Sequence, residues 1–461
     1  MMCVRPGGIV TLVCAVTSCG TAEITVLSTD AEGGATAADA GAQSMDGGST
    51  PTSYCAEESP ALLVSTAASA TPVCAGQIAQ SAFRYALCTC GDLVLDHALT
   101  TDAFDGSHGP YSMATATVGG SVGANGTVQM GAAIDIGGSL WTGGMAQGFT
   151  SSFDVNIGGE LHAAGLVDLT GPGLTVDTDA WAASGLVVTG SALIAGTLFI
   201  PQGAPLNVGG TKTIGATVTE PVHVPLPCDC ARGSLVDVGG FVETYRANND
   251  DTRAGLDELM LENVQTPLSM TIPCGRLFFT RVGAHAPVHL TVVGRTAMFV
   301  GGDFQADADF FIDVPSGSEL NLFIEGNVVA SQGFGIGDQS NPARARVYIG
   351  GNGDVVLQNA SSVTGNLYAP SAQLVLGTAA TTIFGSAFVR QLGSGNGALT
   401  IHFDESVARE SSICKTPTTC SSCRDCGNQA CTGSTCAGCS DSSQCCTPLV
   451  CRSGTCVLDV R

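Results

Sequence analysis

A short glycine phrase recurs along the first half of this chain and constrains its fold more than any other feature. Apolar residues stand on both sides of a glycine, usually a glycine pair, at 118–122, 136–140, 157–161, 189–193 and 208–210. Three of the four intervals are 18, 21 and 19 residues, and the longer one, about 31, contains a segment around Trp181 that we expect to be a loop. A period near 20 predicts one coil of a β-solenoid, in which each short strand pairs in parallel with its counterpart one coil away.

Turn-forming residues indicate where such coils would bend. Glycine accepts positive φ and lets neighbouring coils approach closely, so it suits the corners. The region 291–403 repeats a different phrase, in which apolar residues precede glycine with Asp, Asn or Ser, and these are turn formers. Its copies begin at Val300, Ile324, Ile349, Val363 and Phe384. Within it, Leu320 and Leu322 alternate with Glu319 and Asn321, which predicts a strand with one buried face.

The composition agrees with strands and tight turns. Glycine supplies 61 of the 461 residues, and the only lysines are Lys212 and Lys415, so helix-favouring residues are scarce. The predicted fold class is mostly β, with right-handed β-solenoid-like repeats in two halves, a short helical insertion between them and a small disulfide-rich module at the end. An irregular sandwich stays open for the second half.

The same patterns predict helices and domain boundaries. Apolar residues at helical spacing behind a run of acids predict a helix over 248–264, and another is predicted over 75–87. The predicted divisions are a lipoprotein signal peptide at 1–18, a lipidated cysteine with a disordered tether at 19–54, an N-terminal solenoid-like half with an opening helix at 55–226, a linking segment with a helix and a Cys-x-Cys pair at 227–290, a C-terminal solenoid-like half at 291–413 and a cysteine-rich module at 414–461.

The first residues have the layout of an export signal. Arg5 precedes an apolar stretch, 9–16, that is too short to span a bilayer. The stretch ends in Val16-Thr17-Ser18-Cys19-Gly20, which resembles the bacterial lipobox, and this resemblance implies that Cys19 carries a thioether-linked lipid. An ordinary cleaved signal is the alternative. The resemblance to the lipobox implies a location in the cell envelope. Many lipoproteins that stay in the inner membrane carry an aspartate directly after the lipidated cysteine. Gly20 stands at that position here, which by the same resemblance favours the outer membrane.

Segment 21–53 and the overall charge limit the partners of the chain. The segment consists mostly of Ala, Gly, Ser, Thr and Asp, so it should stay disordered and act as a tether. Forty acids against 17 bases give a net charge of -23. Such a chain repels phosphate backbones and anionic headgroups, so we expect no nucleic-acid partner and no electrostatic membrane binding beyond the lipid anchor.

The 21 cysteines indicate an oxidising compartment. Without Cys3, Cys14 and Cys19 an even number remains, so full pairing is feasible, with the connectivity left open. The disulfide candidates fall into a body set and a tail set: Cys55, Cys74, Cys88, Cys90, Cys228, Cys230, Cys274 and Cys414, then Cys420, Cys423, Cys426, Cys431, Cys436, Cys439, Cys445, Cys446, Cys451 and Cys456. In each Cys-x-Cys pair the spacing projects both sulfurs to the same side of a strand, which suits two bridges to a facing segment. The two pairs could instead bind zinc, which the export signal argues against.

Several segments together resemble a known but uncharacterised family. They are 83–90 (FRYALCTC), 101–106 (TDAFDG), 227–230 (PCDC), 273–276 (PCGR), 294–300 (GRTAMFV), 367–370 (LYAP) and 401–405 (IHFDE). Over residues 75–410 the chain resembles surface lipoproteins of myxobacteria and related deltaproteobacteria. The Tyr-Ala-Pro segment and the terminal His-x-Asp strand are similar to β-solenoids encoded near pilus genes and, more remotely, to polymer-forming bactofilins. The resemblance implies an envelope location and a structural or adhesive role, with no transferable activity.

The cysteine-rich tail is a separate module. A segment with so few apolar residues needs disulfides to hold a fold. From Cys439 onwards the spacing resembles cystine-knot and Dickkopf-type domains. This resemblance implies binding of a protein or glycan, and a protease-resistant cap is the equal alternative.

No catalytic, cofactor or metal site is predicted. Ser121 lies in a Gly-x-Ser-x-Gly match, but no helix pattern follows it and a coil corner explains the glycines. His285 and His289 are spaced too far apart in a strand to chelate one ion, and the scattered acids suggest a solvated face or weak calcium loops. We therefore expect an envelope-anchored structural or adhesive protein that could associate end to end. The alternative is a secreted glycan-active β-helix enzyme, a polysaccharide lyase or glycosidase.

Overall fold

The computed structural model describes residues 62–66, 69–359, 362–393, 397–414, 430–444, 449–452 and 455–458. The body opens with an antiparallel hairpin of β1 (Leu63–Thr66) and β2 (Ser69–Cys74), followed by helix α1 (Ala75–Ala82). The helix is shorter than the predicted 75–87, because Leu87 already belongs to the first coil strand. No helix in the described ranges is long and apolar enough to cross a bilayer.

The earlier half is a parallel β-solenoid whose coils have three sides. Its strands are β3 (Leu87–Thr89), β4 (Leu93–Leu95), β5 (Leu99–Phe104), β6 (Val122–Ala124), β7 (Val128–Met130), β8 (Ile134–Ile136), β9 (Leu140–Thr142), β10 (Gln147–Ser151), β11 (Val155–Ile157), β12 (Leu161–Ala163), β13 (Leu166–Leu169), β14 (Gly173–Val176), β15 (Ala180–Ala182), β16 (Leu186–Val188), β17 (Ser191–Ile200), β18 (Leu206–Val208) and β19 (Lys212–Thr219). The first side is built by β3, β6, β9, β12 and β15, the second by β4, β7, β10, β13, β16 and β18, and the third by β5, β8, β11 and β14. The longer β17 and β19 bend from the third side onto the first.

Helices α2 (Val238–Ala247) and α3 (Asp251–Ala254) precede the later half, which repeats the three-sided plan. Its strands are β20 (Leu268–Ile272), β21 (Gly275–Phe279), β22 (Val282–Ala284), β23 (Val288–Val292), β24 (Arg295–Val300), β25 (Phe304–Ala306), β26 (Phe310–Asp313), β27 (Glu319–Ile324), β28 (Val328–Ala330), β29 (Phe334–Ile336), β30 (Ala345–Ile349), β31 (Val355–Leu357), β32 (Ser362–Leu376), β33 (Thr381–Leu392) and β34 (Leu399–Asp404). A 3₁₀ helix, Glu405–Cys414, follows β34. The predicted solenoid is therefore confirmed, with about 13 turns.

The two halves form one continuous stack, but in the reverse of their order in the sequence. Strand β3 pairs in parallel with β33 on one edge and with β6 on the other, so Leu87 lies between Ala387 and Val122. Strand β5 likewise lies between β34 and β8. The last coil of the later half thus continues directly into the first coil of the earlier half. Residues 220–267, the return strap, connect the far end of the earlier half to the far start of the later half.

Glycine permits the close approach of coils at the corners. Gly120 has a φ of 74°, in the left-handed region, where a side chain would be strained. At Gly158 a Cβ atom would lie 2.6 Å from the carbonyl oxygen of Gly137 in the adjacent coil. The glycine phrase therefore marks corners, as its spacing predicts.

Two local predictions were wrong. The helix predicted over 248–264 is reduced to α3, because Asp250 and Asp251 turn their carboxylates onto backbone N–H groups of β21. The segment around Trp181 is not a loop: Trp181 lies on strand β15, and the interval of about 31 residues contains an additional coil without the glycine phrase.

The described part of the tail contains two antiparallel hairpins. They are formed by β35 (Ala430–Thr432) with β36 (Thr435–Ala437) and by β37 (Leu449–Arg452) with β38 (Thr455–Leu458). A disulfide joins Cys439 to Cys451, and Cys431 is also disulfide-bonded. Stapling of this module by disulfides is therefore supported for these cysteines, whereas Cys420, Cys423, Cys426, Cys445 and Cys446 lie outside the described residues.

Candidate functional site

One outward position on the first side is occupied in every coil and forms a ladder along the whole stack. From the later half to the earlier half its members are Phe278, Phe299, Phe323, Tyr348, Tyr368, Phe388, Cys88, Gly123, Trp141, His162, Trp181, Phe199 and Val218. We call this row the outward ladder. Parallel in-register pairing brings each member directly next to its neighbours, about 4.8 Å away. Aromatic rings at such spacing stack and exclude water from one another.

The return strap covers the later-half part of the outward ladder with its own aromatic residues. Phe241 of α2 stacks on Phe323 with ring centroids 5.6 Å apart, and Tyr245 stacks on Phe299 at 4.2 Å. On the next coil, the guanidinium of Arg246 lies 5.0 Å above the ring centre of Phe278. Phe241 and the rings it meets are fully buried. The strap therefore binds through an apolar face that matches the coils one by one.

Two disulfides attach the strap to the first coil of the earlier half. Cys88, a member of the ladder, is bonded to Cys228, and Cys90 is bonded to Cys230, with Cα atoms 5.9 and 5.6 Å apart. The side-chain amide of Asn125 donates to the Cys228 carbonyl oxygen at 2.8 Å, and its oxygen accepts from the Cys228 N–H at 3.0 Å. Each Cys-x-Cys pair thus bridges to a facing segment, as their spacing suggests. Cys274 is also disulfide-bonded.

Beyond the disulfides the ladder is covered less completely. Trp141, His162, Trp181 and Phe199 form a parallel stack with successive ring centroids 3.5, 4.3 and 4.9 Å apart. We call these four residues the aromatic stack. His162 is buried between the two indoles, while the other three rings are partly exposed. Burial lowers the pKa of His162, although the carboxylate of Glu160, 2.7 Å from its Nε2, acts in the opposite direction.

A buried polar network lies beside the covered part of the ladder. Arg346 is fully buried; its Nε donates to Asn321 at 3.0 Å and its Nη1 to the Ala343 carbonyl oxygen at 3.1 Å, and it forms an ion pair with Glu319. Burial would raise the pKa of Glu319, but Arg346 and Arg295 hold it below its usual range. The whole of β27 is buried, so Glu319 and Asn321 do not face solvent as their alternation suggests. This network ties three coils together without exposing a reactive group.

Acids converge where the two halves meet. Asp102 accepts from the Tyr111 hydroxyl and contacts Nδ1 of His402, both at 2.7 Å, and the two rings stack at 3.7 Å. We call Asp102, Tyr111 and His402 the junction cluster. Burial and the neighbouring Asp102 raise the pKa of Tyr111 to about 12, so this phenol stays protonated at neutral pH. The carboxylate of Asp404 accepts backbone N–H groups of Gly106 and of Ala343 nearby. These contacts attach the last coil of the later half to the first coil of the earlier half.

The other candidate residues lie apart. Ser121 accepts the Ser139 N–H at 3.0 Å at a coil corner. His285 and His289 contact separate carboxylates, those of Asp307 and Asp313, at 2.8 and 2.6 Å. Within the described ranges no three metal-ligating side chains are grouped for an ion. Cys19 and Cys55 lie outside the described residues, as do the side chains of Cys74, Cys414, Cys436 and Cys456.

The outward ladder was missed by reasoning from the sequence. Its signal was nevertheless present: in every coil except that of Val218 the member directly follows a buried apolar residue, as Trp141 follows Leu140 and Phe199 follows Leu198. The glycine spacing predicts the corners of the coils, whereas the ladder lies in the strands between those corners.

Comparisons with known proteins add a family match over part of the chain. A family model described as a domain of unknown function (DUF7305) matches residues 236–410, less than half of the chain. The match begins in the strap just before α2 and covers the coils of the later half. No curated protein matches the chain. No solved structure matches it either.

Proposed function

We propose that this protein is a rigid structural scaffold of the bacterial cell envelope, anchored by a lipid at Cys19 and acting through its surface. The observation that supports this proposal is the position of the two elements that flank the coils in the sequence. Helix α1 packs against the 3₁₀ helix Glu405–Cys414 beside the junction of the two halves. On the first side, six ladder strands lie before this junction and seven after it. A tether preceding α1 would therefore hold the stack near its middle.

The disulfides support an extracytoplasmic location. Cys88–Cys228 and Cys90–Cys230 connect segments 140 residues apart, and such bridges persist in oxidising compartments. The 3₁₀ helix Glu405–Cys414, which precedes the cysteine-rich tail in the sequence, lies near the same junction. We propose that the tail binds a protein or glycan or acts as a protease-resistant cap.

The lipid anchor is tested with matched cysteine variants. Cys19→Ala should abolish incorporation of labelled palmitate and move the protein from the membrane fraction to the soluble exported fraction. Cys14→Ala, which removes a leader cysteine outside the lipobox, should change neither result. Retention of label and membrane association by Cys19→Ala, or recovery of the wild-type protein in the cytosol, would refute this part of the proposal.

The surface role is tested with the tail removed. Deletion of 415–461 should leave the body folded and abolish capture of a protein or glycan partner by the anchored chain. If a partner is still captured, binding resides in the body, and the aromatic stack is the first surface to mutate.

The glycan-active enzyme remains the second candidate, and the junction cluster is the observation that favours it. It combines a carboxylate, an imidazole and a phenol, with Asp105, Glu405 and Arg409 nearby. Burial and the neighbouring acids raise the pKa of Glu405, as a general acid requires. Release of reducing ends from envelope polysaccharides by the wild type but not by His402→Gln would establish this activity; equal rates for both proteins would count against it.

A further inference from the structure

The two ends of the stack differ in how their strand edges are covered. At the end of the earlier half, β18 pairs with β16 and β19 pairs with β17, and the described residues provide no partner for their outer edges. All of β19 is exposed except Ile214, which is partly buried. We call this surface the open end. An uncovered edge of this kind, without proline and rich in β-branched residues, is a template for pairing with another strand.

At the opposite end the chain covers its own edges. The Asp250 and Asp251 carboxylates accept the backbone N–H groups of Arg276 and Phe278 at 3.0 and 3.1 Å, which occupies the outer edge of β21. Residues 258–264 then continue along the second side, where the Val264 N–H bonds the Gly283 carbonyl oxygen at 2.8 Å. Only β20, which stacks with β23, β26 and β29 on the third side of the later half, lacks a cover among the described residues. This is the capped end.

Charge separates the two ends as well. Residues 180–219, which form the last two coils of the open end, contain no Asp or Glu and a single basic residue, Lys212; the acids Asp179 and Glu220 flank this range. The chain as a whole carries a net charge of -23, so two copies repel each other over most of their surfaces. The strap at the capped end contains Asp250, Asp251, Asp257, Glu258 and Glu262 within 13 residues. Two copies can therefore approach with least repulsion at their open ends.

We propose that the open end binds the open end of a second copy of this chain, so that β18 and β19 of the two molecules pair about a two-fold axis. Head-to-tail addition is blocked because Asp250, Asp251 and residues 258–264 occupy the edge that the next molecule would need. A second copy presents the same surface with the same outward N–H and C=O groups. A symmetric contact, in which both molecules use this one surface, therefore gives hydrogen-bond partners to the strand edges of both. The product is a closed pair rather than a filament. This inference rests on the fold and is independent of the lipid anchor.

The backbone pattern of β19 identifies residues that this pairing uses. The Glu220 N–H bonds the Ile200 carbonyl oxygen, and the Ala192 N–H bonds that of Thr211. Because groups alternate along a parallel ladder, the N–H and C=O groups of Thr217 and Thr219 then point away from β17. A substitution at Thr217 therefore acts on the outer edge while the pairing with β17 remains.

The test uses the full chain with Cys19→Ala, so that a lipid does not contribute to association. Sedimentation velocity should give twice the mass of one chain. Small-angle scattering should show a maximum dimension well above that of one stack, because 13 turns at about 4.8 Å measure only about 60 Å. Val218→Glu should raise the dissociation constant at least about tenfold, since Val218 is the last member of the outward ladder and the change places an acid on the outward face of both pairing edges. Thr217→Pro should do the same by removing an outward N–H, a position where edge strands tolerate proline.

The matched control is Thr271→Glu, which places the same charge on an exposed position of β20 at the capped end. It should leave the dimer unchanged, and circular dichroism melts should show that all three variants stay folded. A monomer at every concentration would overturn the proposal and would indicate that another segment or partner covers the open end. Growth beyond two copies, or dissociation caused equally by Thr271→Glu, would also overturn it.

Discussion

The paired disulfides should stabilise the earlier half in a non-additive way. Either bridge alone closes a loop of about 140 residues, because Cys88–Cys228 and Cys90–Cys230 connect the same two segments. In the chain-entropy model, closing a loop of this size adds about 5 kcal/mol to the free energy of unfolding. The second bridge closes a ring of only about four residues and adds about 2 kcal/mol. Removing one bridge should therefore cost about 2 kcal/mol, and removing both about 7 kcal/mol.

The assay follows from where the tryptophans lie. Trp141 and Trp181 are the only two in the chain, and both lie inside the closed loop, so tryptophan fluorescence reports unfolding of the earlier half. Urea titrations of the wild type, the two single-bridge alanine variants and the variant lacking both bridges give the four free energies of the cycle. Comparing the variants that lack one bridge each separates the loss of packing from the loss of the cross-link, since Cys88 and Cys228 are buried whereas Cys90 and Cys230 are partly exposed.

The size of the coupling decides the outcome. The entropic model predicts that the variant without bridges loses about 3 kcal/mol more than the sum of the two single losses. Additive losses would show that the bridges act through local packing and that the strap is held by its helix instead. That result would refute the view that covalent closure fixes the earlier half against the strap.

Three further predictions concern individual side chains. Phe241→Ala should lower the free energy of unfolding by about 3 to 5 kcal/mol because it empties a fully buried site under α2, whereas the more exposed Phe311→Ala should cost far less when urea unfolding is followed by circular dichroism, which also reports the later half. Burial, with Glu258 and Asp250 adding to it, raises the pKa of Asp251 to about 6, so stability should fall as pH rises from about 4 to 6; Asp251→Asn should remove that slope and raise the urea midpoint at pH 7.5. Burial lowers the pKa of His162, so its ring should titrate below pH 6.5 by NMR, and stability should fall as pH drops through that value; a midpoint above 6.5 would contradict the burial argument.

Local patterns predicted the coil well. The glycine phrase gave the period because a corner needs a residue without a side chain wherever two coils approach, as at Gly120 and Gly158. The Cys-x-Cys spacing suggested two bridges to one facing segment, and Cys88 and Cys90 make them. The coil on Trp181 was missed because it lacks the phrase, although its inward residues keep the same spacing.

The sequence by itself determined that this chain winds into short parallel strands with apolar residues inside and small residues at the bends. These are properties of single coils, and each coil carries them in its own residues. Only the tertiary structure decided the order of the halves, the path of the strap and the identity of the ladder. A free strand edge can pair with any compatible edge, so the choice of β33 as the neighbour of β3 depends on the whole set of contacts. Those contacts include the strap helix on Phe323 and the carboxylate of Asp404, which lie far apart in the sequence.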